Sequence, residues 1–344
     1  MASTPLTGVL LINLGTPDSP EVPDVRKYLR EFLMDGRVID MPTPQRFMLV
    51  NGVIAPFRAP KSAKVYKELW DERGSPLLYY SQDQQKLLQE KLGKDYYVAL
   101  GMRYQNPSIE SALEELRKKD VDKIIVLSLY PQYASASTGT STQKVMDIVS
   151  KWEVIPSISF LNRFADDPGF IKTIAAIGRS YMEKTQFDHY VFSYHGIPER
   201  QILKASNGGY CQLSDKCCAT YNKKNRYCYR AQCYETTRLV AKELGLREDQ
   251  YTVAFQSRLQ ARIKDPWIKP YTDEVIAEMP KKGIKRVLAF SPAFVADCLE
   301  TTVEVGREFR EIFEEAGGEH WQLAESLNTH PLWIDTLKDM VLRS

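Results

Sequence analysis

Short apolar runs with almost no polar interruption recur along this chain, and helix-like stretches fill the intervals between them. Gly8–Leu14 (G-V-L-L-I-N-L), Tyr96–Met102, Lys123–Leu129 and Ser157–Leu161 form one series. His189–Ser193, Thr252–Gln256, Arg286–Phe290 and Trp321–Glu325 form a second. A strand with one wet face alternates apolar and polar residues, whereas a continuously apolar run is covered on both faces, as in parallel sheets. Parallel strands need crossover connections. Pro23–Met34, Ser108–Lys119, Thr142–Trp152 and Phe170–Lys184 read as helices in the first half. Tyr229–Leu244, Thr272–Glu278, Leu299–Glu315 and Pro331–Leu342 read as helices in the second. The expected fold class is α/β: two similar doubly wound domains, each a parallel sheet flanked by helices.

The halves echo one another. The first strand of one runs into N-L-G-T-P (Asn13–Pro17), and that of the other into Y-H-G-I-P (Tyr194–Pro198). K-I-I-V-L-S-L-Y-P (Lys123–Pro131) likewise matches K-R-V-L-A-F-S-P (Lys285–Pro292). The expected domains are 1–165 and 166–328, the second carrying an insert at 201–233, followed by a helical segment 329–344. Whether that last segment packs back across the domain interface is left open. Ligands of such sheets bind beyond the carboxyl ends of the strands, so a shared cleft is expected there.

Net charge is +2 with the signs interspersed, which offers no nucleic-acid footprint. No apolar stretch reaches the length of a membrane span, and Met1–Thr7 lacks a signal-peptide pattern, so a cytoplasmic protein is expected. Residues 38–59 are poor in charge and include Phe47, Met48, Leu49, Val53, Ile54 and Phe57. They read either as an amphipathic helix packed on the sheet or as an exposed apolar lip touching a membrane or an apolar ligand.

His195 is one of four histidines and stands at a strand end just before Gly196 and Pro198. A histidine so placed is either a satisfied core residue or a base aimed into the cleft. The expected cleft collects Leu14, Arg103, Tyr104 and Tyr133 from one half and His195, Ser257, Trp267 and Glu300 from the other. Aromatic groups mixed with a few polar ones suit a flat, largely apolar ligand with a polar edge. Glu300, Glu304 and Glu308 recur every four residues and share one helix face, more closely if a π-bulge intervenes. Such a row is a solvated acidic face or a path for hard cations or protons. Ser137–Lys144 lacks the P-loop pattern. Five of the six cysteines, Cys211, Cys217, Cys218, Cys228 and Cys233, crowd into 23 residues, which in a cytosolic chain suggests metal or redox chemistry rather than disulfides.

F-S-Y-H-G-I-P-E-R (Phe192–Arg200), F-Q-S-R (Phe255–Arg258), D-P-W (Asp265–Trp267), P-Y-T-D-E (Pro270–Glu274) and F-V-A-D-C-L-E-T (Phe294–Thr301) resemble the ferrochelatase family. L-I-N-L-G-T-P, F-R-A-P-K (Phe57–Lys61), G-S-P-L (Gly74–Leu77), M-R-Y (Met102–Tyr104) and Y-P-Q-Y (Tyr130–Tyr133) agree with it in family order. The resemblance implies a chelatase-like fold and a lyase inserting Fe2+ into protoporphyrin IX, which yields protohaem and two protons as the terminal step of haem biosynthesis. By that resemblance His195 and Glu300 are catalytic, and His195, Glu300, Glu304 and Glu308 contact or guide the metal. Arg58, Arg103 and Tyr104 would meet the porphyrin edge, and Leu14, Tyr133, Ser257 and Trp267 would line its bed. Coproporphyrin as substrate, cobalt or nickel as metal, and a haem or metal carrier without turnover are the competing readings. The insert resembles an internal equivalent of the [2Fe–2S] site of some ferrochelatases, needing four of the five thiolates. Zn2+ and free thiols stay open beside it. Peripheral membrane contact through 38–59, at the inner face of the membrane, and a monomer or homodimer complete the expectations.

Overall fold

The computed structural model describes residues 6–258 and 266–344, so Asp265 of the D-P-W motif lies outside the described residues. The chain divides into two compact units. One comprises the chain up to Tyr130, Ser135–Arg163 and Trp333–Ser344; the other comprises Pro131–Ala134 and Phe164–Leu332. The C-terminal helix Pro331–Leu342 thus lies mostly in the first unit, where Asp335 pairs with Lys91 at 2.6 Å.

The first unit holds β1 (Thr7–Asn13), β2 (Tyr96–Met102), β3 (Lys123–Ser128) and β4 (Ser157–Leu161), all parallel, in the order β2-β1-β3-β4. The second holds β5 (His189–His195), β6 (Tyr251–Gln256), β7 (Arg286–Phe290) and β8 (His320–Leu323), parallel, in the order β6-β5-β7-β8. The same order twice is the structural form of the sequence echo. Each central strand is buried on both faces: Val9, Leu10, Leu11 and Ile12 in β1, and Val191 and Phe192 in β5, are fully covered. Helices cover these sheets through apolar stripes. Ile109, Ala112, Leu113 and Leu116 pack on the first sheet, and Ile276, Val305, Phe309 and Phe313 on the second.

Both central strands end in a glycine that no other residue could replace without movement. Gly15 has φ +103°, and a Cβ there would stand 1.9 Å from the Tyr104 carbonyl oxygen. At Gly196 a Cβ would stand 2.8 Å from the Gln256 carbonyl oxygen and 3.2 Å from the Trp267 ring. The close approach lets the loop after each central strand fold over its neighbouring strand, and it places Leu14 and His195 at equivalent positions one residue before the glycine.

Two departures from the sequence reading have physical causes. The helix Pro76–Leu92 is absent from the expected elements because its buried stripe, Leu77, Ser81, Gln84 and Leu88, is half polar and hides the helical period. Residues 43–69 form one helical run, Thr43–Phe47, a π-helical stretch Met48–Ile54 and Ala55–Leu69. Of its apolar side chains, Phe47, Met48, Val53 and Phe57 are more than half exposed, while Val50, Ala55 and Ala59 are buried.

Candidate active site and thiol cluster

β5 carries His195 to its last position, in register with Gln256 of β6. The Gly196 N–H donates to the Gln256 carbonyl at 2.8 Å, and the buried Tyr229 hydroxyl donates to the His195 carbonyl at 2.8 Å. Trp267 closes one side: its segment bridges Pro198, and the Ile268 N–H donates to the Ile197 carbonyl at 3.1 Å. The imidazole Nδ1 lies 2.6 Å from the Gly196 carbonyl oxygen. A carbonyl only accepts, so Nδ1 carries a proton, and in the neutral form of the ring the lone pair is on Nε2. His195 is therefore held in the tautomer of a proton acceptor or metal ligand at Nε2.

The glutamate row lies on a π-helical segment, Leu299–Glu308, that continues as an α-helix, Phe309–Glu315. Hydrogen bonds from i to i+5 widen the turn, so each residue rotates through a smaller angle, opposing the drift of about 40° that four α-helical residues accumulate. Glu300 and Glu304 are half-buried and Glu308 is exposed beside Arg307 at 3.5 Å, so the row runs from covered to solvated. Its start is pinned by Asp297. That carboxylate accepts from the Asn328 amide (2.7 Å), the Thr301 hydroxyl (3.0 Å) and the Ser326 N–H (3.2 Å), while the Asp297 N–H donates back to Asn328 Oδ1 at 2.9 Å.

Glu304 is gripped by the end of β6. The Ser257 N–H donates to its Oε1 at 2.7 Å, the Ser257 hydroxyl donates to Oε2, and Gln256 Nε2 reaches Oε2 at 3.2 Å. The Ser193 hydroxyl donates to Gln256 Oε1 at 2.7 Å, which fixes the amide with its NH2 toward Glu304 and the Glu300 carbonyl (3.0 Å). Burial pushes the Glu304 carboxyl up; the Ser257 donors and His195 oppose this, and the neighbouring Glu300 charge adds to it. Glu304 thus feels both His195 and Glu300. The grip of Gln256 on Glu304 was invisible in sequence, because an uncharged residue at a strand end carries no pattern.

In the first unit Leu14 follows β1 directly, and Arg58 is exposed on the helix Ala55–Leu69. Arg103 and Tyr104 are held by Asp35, which sequence reasoning missed. Arg103 lies 2.5 Å from Asp35 Oδ2 with its Nε 2.8 Å from Thr140 Oγ1, and the Tyr104 hydroxyl donates to Asp35 at 3.0 Å. Tyr104 is fully buried, with its ring edge-on to Phe32 at 5.1 Å, so it braces Arg103 from within. Burial alone would raise the Asp35 carboxyl; Thr140, the Arg37 N–H, Arg103 and Tyr104 outweigh it and hold it below the ordinary aspartate value. In the second unit Tyr133 stacks edge-on against Tyr227 at 5.6 Å, and its N–H donates to Gln232 Oε1 at 2.9 Å.

All six cysteines are free thiols. Among the described residues no three His, Cys, Asp or Glu side chains stand in metal-holding array. The Cys217 and Cys218 sulfurs are 3.9 Å apart, and Cys211 and Cys228 are close enough for the thiols to act on one another's ionisation. The Cys218 hydrogen bond lowers the Cys228 thiol, whereas that same bond and burial raise Cys218. Cys233 is fully buried apart from these, against the Tyr229 hydroxyl, and burial pushes its thiol far up. The Tyr229 hydroxyl donates to the His195 carbonyl and lies beside the Cys233 thiol, whose ionisation it favours while burial opposes it more strongly. Ionising a thiol costs most where burial is complete, which makes Cys233 the least suited of the five to act as a thiolate.

The family model described as Ferrochelatase matches residues 6–344. A ferrochelatase of Legionella pneumophila (strain Lens) is 50% identical over 334 residues, 97% of this chain and 98% of its own length. One from Coxiella burnetii (strain Dugway 5J108-111) is 44% identical over 341 residues, 98% of this chain and 93% of its own. Among solved structures, SirB from Bacillus subtilis with Fe3+ superposes with a TM-score of 0.55 at 10% identity, covering 98% of this chain and 95% of that one, which shows the shared fold. With a family model over nearly its whole length and relatives up to half identical, the chain belongs to the ferrochelatase family.

Proposed function

We propose that this metal chelatase inserts Fe2+ into protoporphyrin IX, releasing two protons and protohaem as the last step of haem synthesis. The observation that carries the reading is His195, oriented through Nδ1 at the end of β5, in the same unit as Glu304, which the adjoining strand end holds and on which His195 acts. Two pyrrole N–H protons must leave as the metal enters, and a neutral imidazole beside carboxylates accepts them. His195 takes a pyrrole proton or contacts the iron, Glu300 accepts protons or delivers metal, and Glu304 and Glu308 continue the path. Arg58 and Arg103 suit the propionates as bidentate donors to carboxylates, and Tyr104 supports that edge. By the family resemblance Leu14, Tyr133 and Trp267 would each offer an apolar surface to the ring, and Ser257 would contact the substrate. Anaerobic incubation with Fe2+ and protoporphyrin should convert the porphyrin bands to haem, and His195→Ala should abolish the conversion. Turnover by that variant near the wild-type rate would refute the role of His195. Parallel rates on coproporphyrin, and with cobalt and nickel, rank the alternative substrates. A carrier would stop at one haem per chain.

The four insert thiols other than Cys233 fit a [2Fe–2S] cluster better than a hard cation, since they offer sulfur alone. When bound, such a cluster would add a redox-active cross-link between Cys211, Cys217, Cys218 and Cys228. Zn2+ suits the same donors, and iron analysis with the visible spectrum of protein purified without oxygen separates the two: a colourless, iron-free protein sinks the cluster. Among the described residues no helix is long and apolar enough to cross a membrane. The exposed Phe47, Met48, Val53 and Phe57 instead favour peripheral contact at the inner membrane face of a cytoplasmic enzyme, which liposome flotation tests.

A further inference from the structure

The insert touches the active site through one short stretch. Tyr227, Cys228 and Tyr229 are consecutive. Cys228 is the N-cap of the helix Tyr229–Leu244, and its thiol meets Cys218. The ring before it, Tyr227, stacks on Tyr133 at 5.6 Å and 72°, and the phenol after it, Tyr229, donates to the His195 carbonyl at 2.8 Å. The next turns of the helix continue the grip. Gln232 holds the Tyr133 N–H (2.9 Å), Thr236 lies 3.2 Å from Gln132 Nε2 and donates to the Ala165 carbonyl (2.7 Å), and Thr237 pairs with the Tyr194 hydroxyl (2.8 Å). Positions 229, 232 and 236, with 237, lie on one helix face. That face holds the end of β5 and the segment 131–134 together, and its first residue is joined covalently to a member of the thiol cluster.

We propose that Tyr229 is a positioning residue for His195, and that through it the state of the cysteine insert sets the orientation of the proton-accepting imidazole; this rests on the chelatase reading above. The imidazole is bonded through Nδ1 to the carbonyl of Gly196, so its direction follows the placement of Gly196, which is set from one side by the peptide that joins residues 195 and 196. Tyr229 fixes the carbonyl of that peptide. Any change at Cys228 that shifts the start of the helix moves the phenol with it, and the Nε2 lone pair turns. Tyr229 touches no reacting atom in this account; it acts only by fixing His195.

The test isolates one hydrogen bond. Tyr229→Phe keeps the ring and removes the hydroxyl. In protein carrying 13C at histidine Cε1, His195→Ala assigns the His195 resonance among the four histidines. That resonance should shift in Tyr229→Phe while the His189, His320 and His330 resonances stay in place. It should also shift in Cys228→Ser, and adding Cys228→Ser to Tyr229→Phe should move it no further. An unmoved His195 resonance in Tyr229→Phe, or independent additive shifts in the double variant, overturns the proposal whether or not turnover is seen. In the haem-forming assay kcat should fall about tenfold in Tyr229→Phe, with both KM values and the thiol-bound metal content unchanged within twofold. A kcat within twofold of wild type overturns it as well. Absence of turnover by the wild-type protein is instead a failure of the chelatase reading, and the resonance test stands apart from it. Tyr229→Phe alone keeps the test decisive where Cys228→Ser does not fold.

Discussion

Ser257 holds Glu304 twice over: its N–H meets Oε1 at 2.7 Å, its hydroxyl meets Oε2, and its backbone stands at φ +61°, the left-handed region, to present both. A serine rarely adopts that conformation without cause, and here it turns a strand end into a carboxylate clamp. Hydrogen bonds to a charged group are worth about 1.5–3 kcal/mol each. Ser257→Ala keeps the backbone donor and loses the hydroxyl, so kcat/KM for Fe2+ should fall roughly ten- to hundredfold. Initial rates at varied Fe2+ check this; a loss under threefold would show the clamp to be incidental.

Asp35 plays the matching part for Arg103, and its consequence is a pH dependence of stability. The Asp35 carboxyl is held below its unfolded value, so it binds fewer protons folded than unfolded near that value. Its contribution is therefore fully present above the unfolded aspartate pKa, about 3.9, and fades as pH falls through the lower folded value. Asp35→Ala leaves the mostly buried Arg103 without its counter-ion and should cost about 3–5 kcal/mol at pH 7. Asp35→Asn should lose less, with its deficit narrowing below about pH 4. Urea unfolding of the three proteins from pH 7 to pH 3.5 reads both effects. A deficit that stays constant across this range contradicts the assignment.

The close approach at Gly196 predicts that even one methyl group is harmful there. Its Cβ would lie 2.8 Å from a backbone oxygen of β6, which cannot swing aside as a side-chain tip can. Gly196→Ala should push the end of β5 outward, cost about 1–3 kcal/mol as overpacking does, and lower haem formation at least tenfold. Thermal unfolding and turnover measured together decide it. Equal melting temperature and equal rate would mean that the loop yields freely.

The fold was largely legible because its strands are buried on both faces. β2, β4 and β7 match their apolar runs residue for residue, and the duplicated strand order follows from the echo of N-L-G-T-P with Y-H-G-I-P. The helix Pro76–Leu92 was not legible, since Ser81 and Gln84 interrupt its buried face. At the site, His195 and the glutamate row announce themselves by residue type and spacing. Asp35 and Tyr229 do not, and Gln256, a cleft residue by its strand end, gives no sign of its hold on Glu304, because each acts through a partner far along the chain: 68 residues from Asp35 to Arg103, 48 from Gln256 to Glu304 and 34 from Tyr229 to His195. No local pattern reports such pairings. Sequence also left five cysteines equivalent, and the complete burial of Cys233 beside Tyr229 sets it apart.

That separation is itself a prediction. Cys233 lies in a fully buried site beside the Tyr229 phenol, whereas Cys211, Cys217 and Cys228 are only partly buried and Cys217 stands 3.9 Å from Cys218. A metal or cluster on the insert needs thiolates, and the cost of ionising a thiol is greatest where burial is complete. Cys233→Ser supplies a hydroxyl donor in the same place and should retain the thiol-bound metal of the wild type within about a quarter. Replacement of any of the other four by serine should lower it at least fivefold. Metal and acid-labile sulfide analysis of the five variants, all purified without oxygen, compares them directly. Loss of metal in Cys233→Ser with retention in one of the other four would reassign the ligand set and place the buried thiol among the donors.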